Sequence, residues 1–113
     1  MLKIQINTVI APLFATAFFQ KGISLGKQNR ISEALVSFYT ASKFGFSEVQ
    51  VLNETARLKQ FQGDFLGAIE DIRRALAIDA DNPQAYFQLS QFVNLGEYEF
   101  TDTQLDSLRN FLA

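Results

Sequence analysis

The sequence contains no cysteine and no histidine among its 113 residues. The absence of cysteine excludes disulfides, thiolate nucleophiles and cysteine-based metal sites. The absence of histidine removes the commonest general base and the commonest metal ligand. We therefore expect a non-catalytic protein, not an enzyme, with no cofactor and no metal. Both absences are also compatible with a reducing, cytoplasmic compartment, which is the location we expect.

The chain also has neither a large net charge nor a long apolar run. The formal net charge is -2, from 10 basic and 12 acidic residues, and no basic stripe is available to neutralise phosphates. No segment has the roughly 20 consecutive apolar residues that a membrane-spanning helix requires. We therefore expect neither a nucleic-acid partner nor a membrane partner. Hydrophobic residues make up 48% of the chain, which favours a single folded domain over disorder.

The N-terminal apolar stretch has two interpretations. Lys3 precedes a run from Val9 to Phe19, and Ala15-Thr16-Ala17 has the small residues of a secretion-signal cleavage site. However, Pro12 lies inside the run, and cleavage after Ala17 would cut into the repeated part of the chain. We favour a helix that begins near Pro12, because the missing N–H of proline is not needed in a first helical turn.

Glycine and asparagine divide the chain into segments of helical length, and no segment alternates with period two. The expected fold class is therefore all-α. Ser47, Asp64 and either Asp81 or Asn82 are predicted helix N-caps. For Asp79 and Asp81 we expect a cap and turn role in preference to a metal or acid pair. Gly45 and Gly63 are predicted helix stops. Helices are expected at about residues 12–28, 31–44, 47–62, 65–78 and 83–95, followed by a short last helix that carries Leu105, Leu108, Phe111 and Leu112.

A group of small and large apolar residues recurs at a spacing of 34. Ala34, Phe38 and Ala41 are followed, each 34 residues later, by Ala68, Ile72 and Ala75. A period of this size is typical of helical hairpins that stack on one another, because one hairpin cannot bury its apolar face alone. Such arrays generally bind other chains.

These residues resemble the tetratricopeptide repeat, or TPR, in which an aromatic and a glycine on the first helix precede an A-x3-F motif on the second. The matching residues are Phe18, Gly22, Leu25, Ala34, Phe38 and Ala41 in the first unit, Leu52, Ala56, Gly63-Asp64-Phe65, Ala68, Ile72, Ala75 and Leu76 in the second, and Ala85, Tyr86, Leu89 and Ser90 in the third. Phe46 and Ala80 replace the closing proline, and the pattern fails after Gly96.

The resemblance implies a short right-handed TPR solenoid of antiparallel helical hairpins. It has about two and a half repeats and a C-terminal capping helix within a single domain. The implied divisions are an N-terminal extension at 1–14, repeats at 15–48 and 49–82, the first helix of a third repeat at 83–96, and a loop with the capping helix at 97–113.

The resemblance also implies a concave groove, lined by the first helix of each repeat, that binds a peptide or helix of a protein partner. Carboxamides in such a row can pair with an extended backbone, Phe19 and Phe87 can hold apolar side chains, and Arg57 is the best candidate for binding a carboxylate. The lining positions are Thr16, Phe19, Gln20, Ile23, Lys27, Gln50, Asn53, Glu54, Arg57, Gln60, Phe61, Gln84, Phe87, Gln88, Gln91 and Asn94.

One known mode of the family does not fit. Members that clamp a chaperone's C-terminal carboxylate use Lys, Asn and Arg at fixed lining positions. In this chain those positions hold Phe19, Ile23, Glu54, Gln84 and Gln88. A chaperone C-terminus is therefore not the expected ligand.

Two alternatives stay open. The stretch from Ala85 to Ala113, with Leu105-Asp106-Ser107-Leu108, is similar to the junction that follows the repeats in bacterial TPR-sulfotransferase proteins, although no phosphosulfate-binding loop is present. That similarity implies the accessory repeat segment of a larger enzyme. Alternatively, Phe14, Phe100 and Phe111 form an apolar seam at the ends of the array and favour a homodimer.

Overall fold

The computed structural model describes residues 9–93 and residue 102, and all regular secondary structure in this part is helical. Its helices are α1 (Ala11–Lys27), α2 (Ile31–Lys43), α3 (Glu48–Phe61), α4 (Phe65–Ile78) and α5 (Pro83–Val93). The all-α prediction is confirmed for these residues, and the first four helices begin and end within one residue of the predicted positions. The predicted end of α5 and the predicted last helix lie outside the described residues, apart from residue 102.

Side-chain caps and glycine stops fix the helix ends. The Asp64 carboxylate accepts a hydrogen bond from the Gly67 N–H at 3.0 Å, and the Asn82 side-chain oxygen accepts one from the Ala85 N–H at 3.0 Å. Ser47 caps α3 in the same way through the Gln50 N–H at 3.3 Å. Gly45 and Gly63 have φ values of +95° and +82°, which end helices at little steric cost only when the residue is glycine. The predicted caps and stops are confirmed, with Asn82 as the cap of α5.

The helices pack as two hairpins followed by a fifth helix. The first hairpin is α1 with α2, and the second hairpin is α3 with α4; these two pairs make the most extensive helix contacts in the described residues. Three-residue turns join the helices of each pair, so the two helices run antiparallel. Smaller interfaces join α2 to α3 and α5 to the second hairpin.

The six residues that recur at the spacing of 34 all lie in the core. Each of them is completely buried, and the two sets occupy two neighbouring clusters of apolar side chains. Helix α3 contributes to both clusters, with Val51 and Leu58 in the first and Leu52 and Ala56 in the second. The equivalent residues of the two hairpins are therefore equivalent in burial as well as in sequence.

Gly22 lies where α1 passes closest to the Phe38 ring on α2. A Cβ atom on residue 22 would be 2.7–2.8 Å from three atoms of that ring. The residues 34 positions later are Ala56 and Ile72, so the second hairpin has a methyl group where the first has none, and a smaller side chain opposite it. The first hairpin therefore combines the smallest residue with a large aromatic ring at these two positions, whereas the second combines alanine with isoleucine.

No helix in the described part of the chain combines the length and the apolar character needed to cross a bilayer.

Candidate functional site

A cavity of about 640 Å³ opens where α1 and α3 end and α2 and α4 begin. Side chains from α5 reach the same space. The lining residues are Gly26, Lys27, Asn29, Ile31, Arg57, Leu58, Gln60, Phe61, Phe65 and Gln91. The cavity joins the three helices α1, α3 and α5.

The floor of the cavity forms where the Leu58 side chain of α3 lies against Gly26 of α1. Gly26 has no side chain, and a Cβ atom there would be 3.2 Å from the Leu58 Cδ2 atom, so glycine leaves room for the leucine. Leu58 and Ile31 are buried and give the floor an apolar character. Asn29 has a φ of +61°, which allows the short turn that brings α2 back beside α1.

The rim of the cavity is exposed and amphipathic. Phe61 is 74% exposed. Lys27, Arg57 and Gln91 are also exposed. The rim therefore presents an aromatic ring, two cations and a carboxamide to solvent around an apolar floor, which is the composition expected of a ligand site.

The two cations of the rim differ in their partners. The Arg57 guanidinium donates hydrogen bonds from Nε and Nη2 to the Glu54 Oε2 atom, at 3.2 and 2.8 Å. Lys27, in the last turn of α1, has no carboxylate within ion-pair distance among the described residues. The charge of Arg57 is thus partly compensated, whereas that of Lys27 is not.

The structure brings together some of the predicted groove residues and separates others. Five of the predicted groove residues line the cavity, namely Lys27, Arg57, Gln60, Phe61 and Gln91. Ile23 is partly buried against the first core cluster. The remaining exposed members lie outside the cavity lining, namely Thr16, Gln20, Gln50, Gln84 and Phe87, and so does the partly buried Glu54. Asn94 lies outside the described residues.

Three predicted groove residues are buried, and this corrects the picture of a continuous polar row. Phe19 packs in the first core, with its ring 4.1 Å from the Phe46 ring and 5.3 Å from the Phe38 ring. Asn53 is 2% exposed and Gln88 is 4% exposed. Their positions at the contact between α3 and α5 leave no side-chain surface for a ligand.

Asn53 and Gln88 instead connect helices by hydrogen bonds. The Asn53 amide nitrogen donates to the Asn82 side-chain oxygen at 3.0 Å, and the Gln88 amide nitrogen donates to the Asn53 backbone oxygen at 3.2 Å. Both amides are oriented by these acceptors, which leaves the side-chain oxygens of Asn53 and Gln88 buried without a hydrogen-bond partner in the described structure. Unpaired buried acceptors are costly, so this contact between α3 and α5 is less stable than its burial suggests.

A buried polar network between the helices of the second hairpin was not predicted. The Lys59 ammonium is 2.9 Å from the Asp71 Oδ2 atom, which also accepts a hydrogen bond from the Thr55 hydroxyl at 2.8 Å. Burial lowers the pKa of Lys59, but the hydrogen bond to Asp71 and its negative charge, with a smaller contribution from Tyr39, raise the pKa above its ordinary value of 10.5. The network connects α4 to α3.

Two charged residues outside the cavity lining make structural contacts. Arg74 pairs across the second hairpin with Glu48, at 3.3 Å, and not along its own helix. The Asp79 carboxylate accepts hydrogen bonds from the Asp81 N–H and the Asn82 amide, so it stabilises the turn before α5. No group of three potential metal ligands occurs among the residues that the structure describes.

The predicted apolar seam is only partly visible. Phe14 is 49% exposed and contacts the Phe44 ring edge-on at 5.7 Å, while Phe100 and Phe111 lie outside the described residues. The stretch Leu105-Asp106-Ser107-Leu108, which carries the similarity to an enzyme junction, also lies outside them. Both alternatives stay predictions.

Comparisons with known proteins add no relative: no family model, no curated protein and no solved structure matches this chain. The case for a function therefore depends on the repeated residues and on the geometry of the cavity.

Proposed function

We propose that this chain is a TPR-like helical repeat protein that binds an extended segment of a partner protein in the cavity between α1, α3 and α5. The proposal is supported by the recurrence of fully buried equivalent residues in the two hairpins, because stacked hairpins leave their first helices side by side. In this arrangement α1, α3 and α5 are the first helices of successive units.

The cavity itself is the observation that carries the proposal. It draws side chains from all three of these helices into one concave surface with an apolar floor. Packed helices are about 8–10 Å apart, so a ligand that crosses three of them spans roughly 20 Å. An extended peptide of about six residues has this length.

The chemistry of the lining suits an extended peptide. Gln60 and Gln91 each offer a donor and an acceptor to a peptide backbone. Phe61, exposed at the rim, can cover an apolar side chain that enters above Leu58. With two such contacts a short peptide is expected to bind with micromolar affinity rather than tightly, since the ordering of a flexible ligand offsets much of the gain.

Selection from a library of random heptapeptides displayed on phage tests the proposal. Peptides that are enriched on the protein are then synthesised and measured by fluorescence anisotropy against Phe61→Ala with Gln91→Ala. We expect this double variant to weaken binding by about tenfold, because it removes the aromatic cover and one carboxamide. The matched control is Leu66→Ala, which is equally exposed but lies outside the cavity lining.

Circular dichroism and thermal unfolding should be the same for the wild type and both variants, since all three side chains are exposed. Failure to enrich any peptide above the level of the double variant would refute the proposal. Equal affinities for the wild type and the double variant would do so as well.

A further inference from the structure

We propose that the cavity contains an anion subsite formed by Lys27, and that the partner segment carries an Asp or Glu side chain beside a large apolar residue. This inference rests on the proposed function and adds the chemistry of the ligand. It also assigns the charge contact to Lys27 and not to Arg57, which was the best candidate from the sequence.

The lining of the cavity is cationic in an acidic protein. The whole chain has a formal net charge of -2, yet the ten lining residues include Lys27 and Arg57 and no carboxylate. The helix dipoles do not change this balance, because the C-terminal ends of α1 and α3 meet the N-terminal ends of α2 and α4 at the same place. The side-chain charges therefore determine the potential in the cavity, and they favour an anion.

The two cations are not equivalent. Both hydrogen bonds of the Arg57 guanidinium in the described structure go to a single Glu54 oxygen, so a ligand carboxylate would compete with a carboxylate already in place. Lys27 has no such competitor in the described structure. An incoming anion gains more from the uncompensated charge, which makes Lys27 the dominant contact.

The apolar residues determine what lies next to the anion. Ile31, Leu58, Phe61 and Phe65 line the same cavity as Lys27. An acidic side chain directed at Lys27 therefore places its neighbour in the peptide over an apolar floor, and a large aliphatic or aromatic residue fills that space best. Partial exclusion of water by this neighbour also strengthens the charge contact.

The acidic group belongs to a side chain within the segment, not to a chain terminus. Gln60 and Gln91 continue the lining from the Lys27 end towards α5, so the bound chain has backbone partners on the far side of the cavity. A segment that ended in the cavity would leave these carboxamides unused. Peptides that are acetylated and amidated at their ends should consequently bind as well as peptides with free ends.

The test uses the heptapeptide selection with the random stretch flanked on both sides, so that no chain end lies within it. The wild-type selection should be enriched in Asp or Glu next to Phe, Leu or Ile. The best peptide, acetylated and amidated, is then titrated against Lys27→Met, Arg57→Met and the control Lys21→Met, which removes an exposed lysine of α1 outside the cavity lining. We expect an affinity loss of about fivefold for Lys27→Met, less than twofold for Arg57→Met and none for Lys21→Met.

A second peptide, with Gln in place of the acidic residue, completes a double-mutant cycle. It should bind the wild type about fivefold more weakly than the acidic peptide does, and Lys27→Met should bind both peptides equally. A larger loss for Arg57→Met than for Lys27→Met overturns the assignment. A selected consensus without acidic residues overturns the anion subsite but leaves peptide binding intact, whereas the absence of any selected peptide refutes the proposed function itself.

Discussion

The contact between Gly22 and Phe38 illustrates how a single position limits its residue. The ring of Phe38 is completely buried and occupies the space that a Cβ atom of residue 22 would need. The equivalent positions of the second hairpin hold Ala56 and Ile72, which are both buried in the second core cluster. Residues 22 and 38 therefore constrain each other, and the second hairpin pairs a larger residue with a smaller one at the same two positions.

Gly22→Ala should destabilise the protein although alanine is the better helix former. The added methyl group gains about 1 kcal/mol in helix propensity but overpacks the core at a cost of roughly 1–3 kcal/mol. Urea denaturation measures the net effect, and Ser24→Ala on the exposed face of α1 controls for propensity. Adding Phe38→Ile to Gly22→Ala recreates the pair of the second hairpin and should recover stability. A single variant at least as stable as the wild type would contradict the steric argument.

The sequence predicts the structural role of a residue well when that role depends only on its near neighbours along the chain. Caps such as Asp64 and stops such as Gly63 act within one turn of helix, and the sequence predicts them correctly. The burial of Asn53 and Gln88 depends on where α5 packs against α3, which no local pattern determines. The same limitation applies to the cavity, since Gly26 and Asn29 line it only because residues of separate helices meet there.

Among the elements, α3 and α4 are joined by a buried charge pair that has no counterpart in the first hairpin. The residues 34 positions before Lys59 and Asp71 are Leu25 and Ser37, which are both buried but carry no charge. The period therefore predicts the position of this contact but not its polarity. The sequence does place Lys59 at helical spacing from the apolar face of α3. That position alone does not predict a buried ion pair, because a long lysine side chain commonly reaches solvent from such a position.

The stability of the second hairpin should decrease at high pH because of this pair. The folded-state pKa of Lys59 is raised above 10.5, so its contribution is complete below that pH and is lost as the pH rises through the folded-state value. Urea unfolding from about pH 9 upward should show the loss in the wild type and in the exposed-lysine control Lys43→Met, but not in Lys59→Met. At neutral pH, Asp71→Asn should cost about 1–3 kcal/mol, since it removes the carboxylate that pairs with the partly buried Lys59 ammonium. Identical pH profiles for the wild type and Lys59→Met would contradict this explanation.

At the scale of the whole molecule, the contacts of α5 with the two hairpins are less extensive, within the described residues, than those inside each hairpin. Part of its attachment is the polar contact between Gln88 and Asn53, in which two buried oxygens lack partners in the described structure. Regions with few contacts open at lower free energy than the rest of a fold. We therefore expect α5 to open before the hairpins unfold.

Asn53→Ala should weaken the attachment of α5 selectively. The variant loses the hydrogen bond to Asn82, the residue that caps α5, and we expect a local cost of about 1–2 kcal/mol. Hydrogen exchange followed by mass spectrometry should show faster exchange in α5 and little change in α1 and α2. Gln50→Ala, at an exposed position on the same helix, is the control. Equal acceleration throughout the chain would mean that α5 does not open on its own.

The placement of α3 in both core clusters affects how the chain can be divided. A fragment that ends before α3 loses Val51 and Leu58 from the interior of the first hairpin, and a fragment that begins at α3 leaves the same two side chains facing water. Neither fragment therefore keeps its core in the native arrangement, although the 34-residue period suggests two independent units. Recombination or domain grafting at the boundary between the two units would therefore separate residues that depend on each other, and the smallest transferable piece includes both.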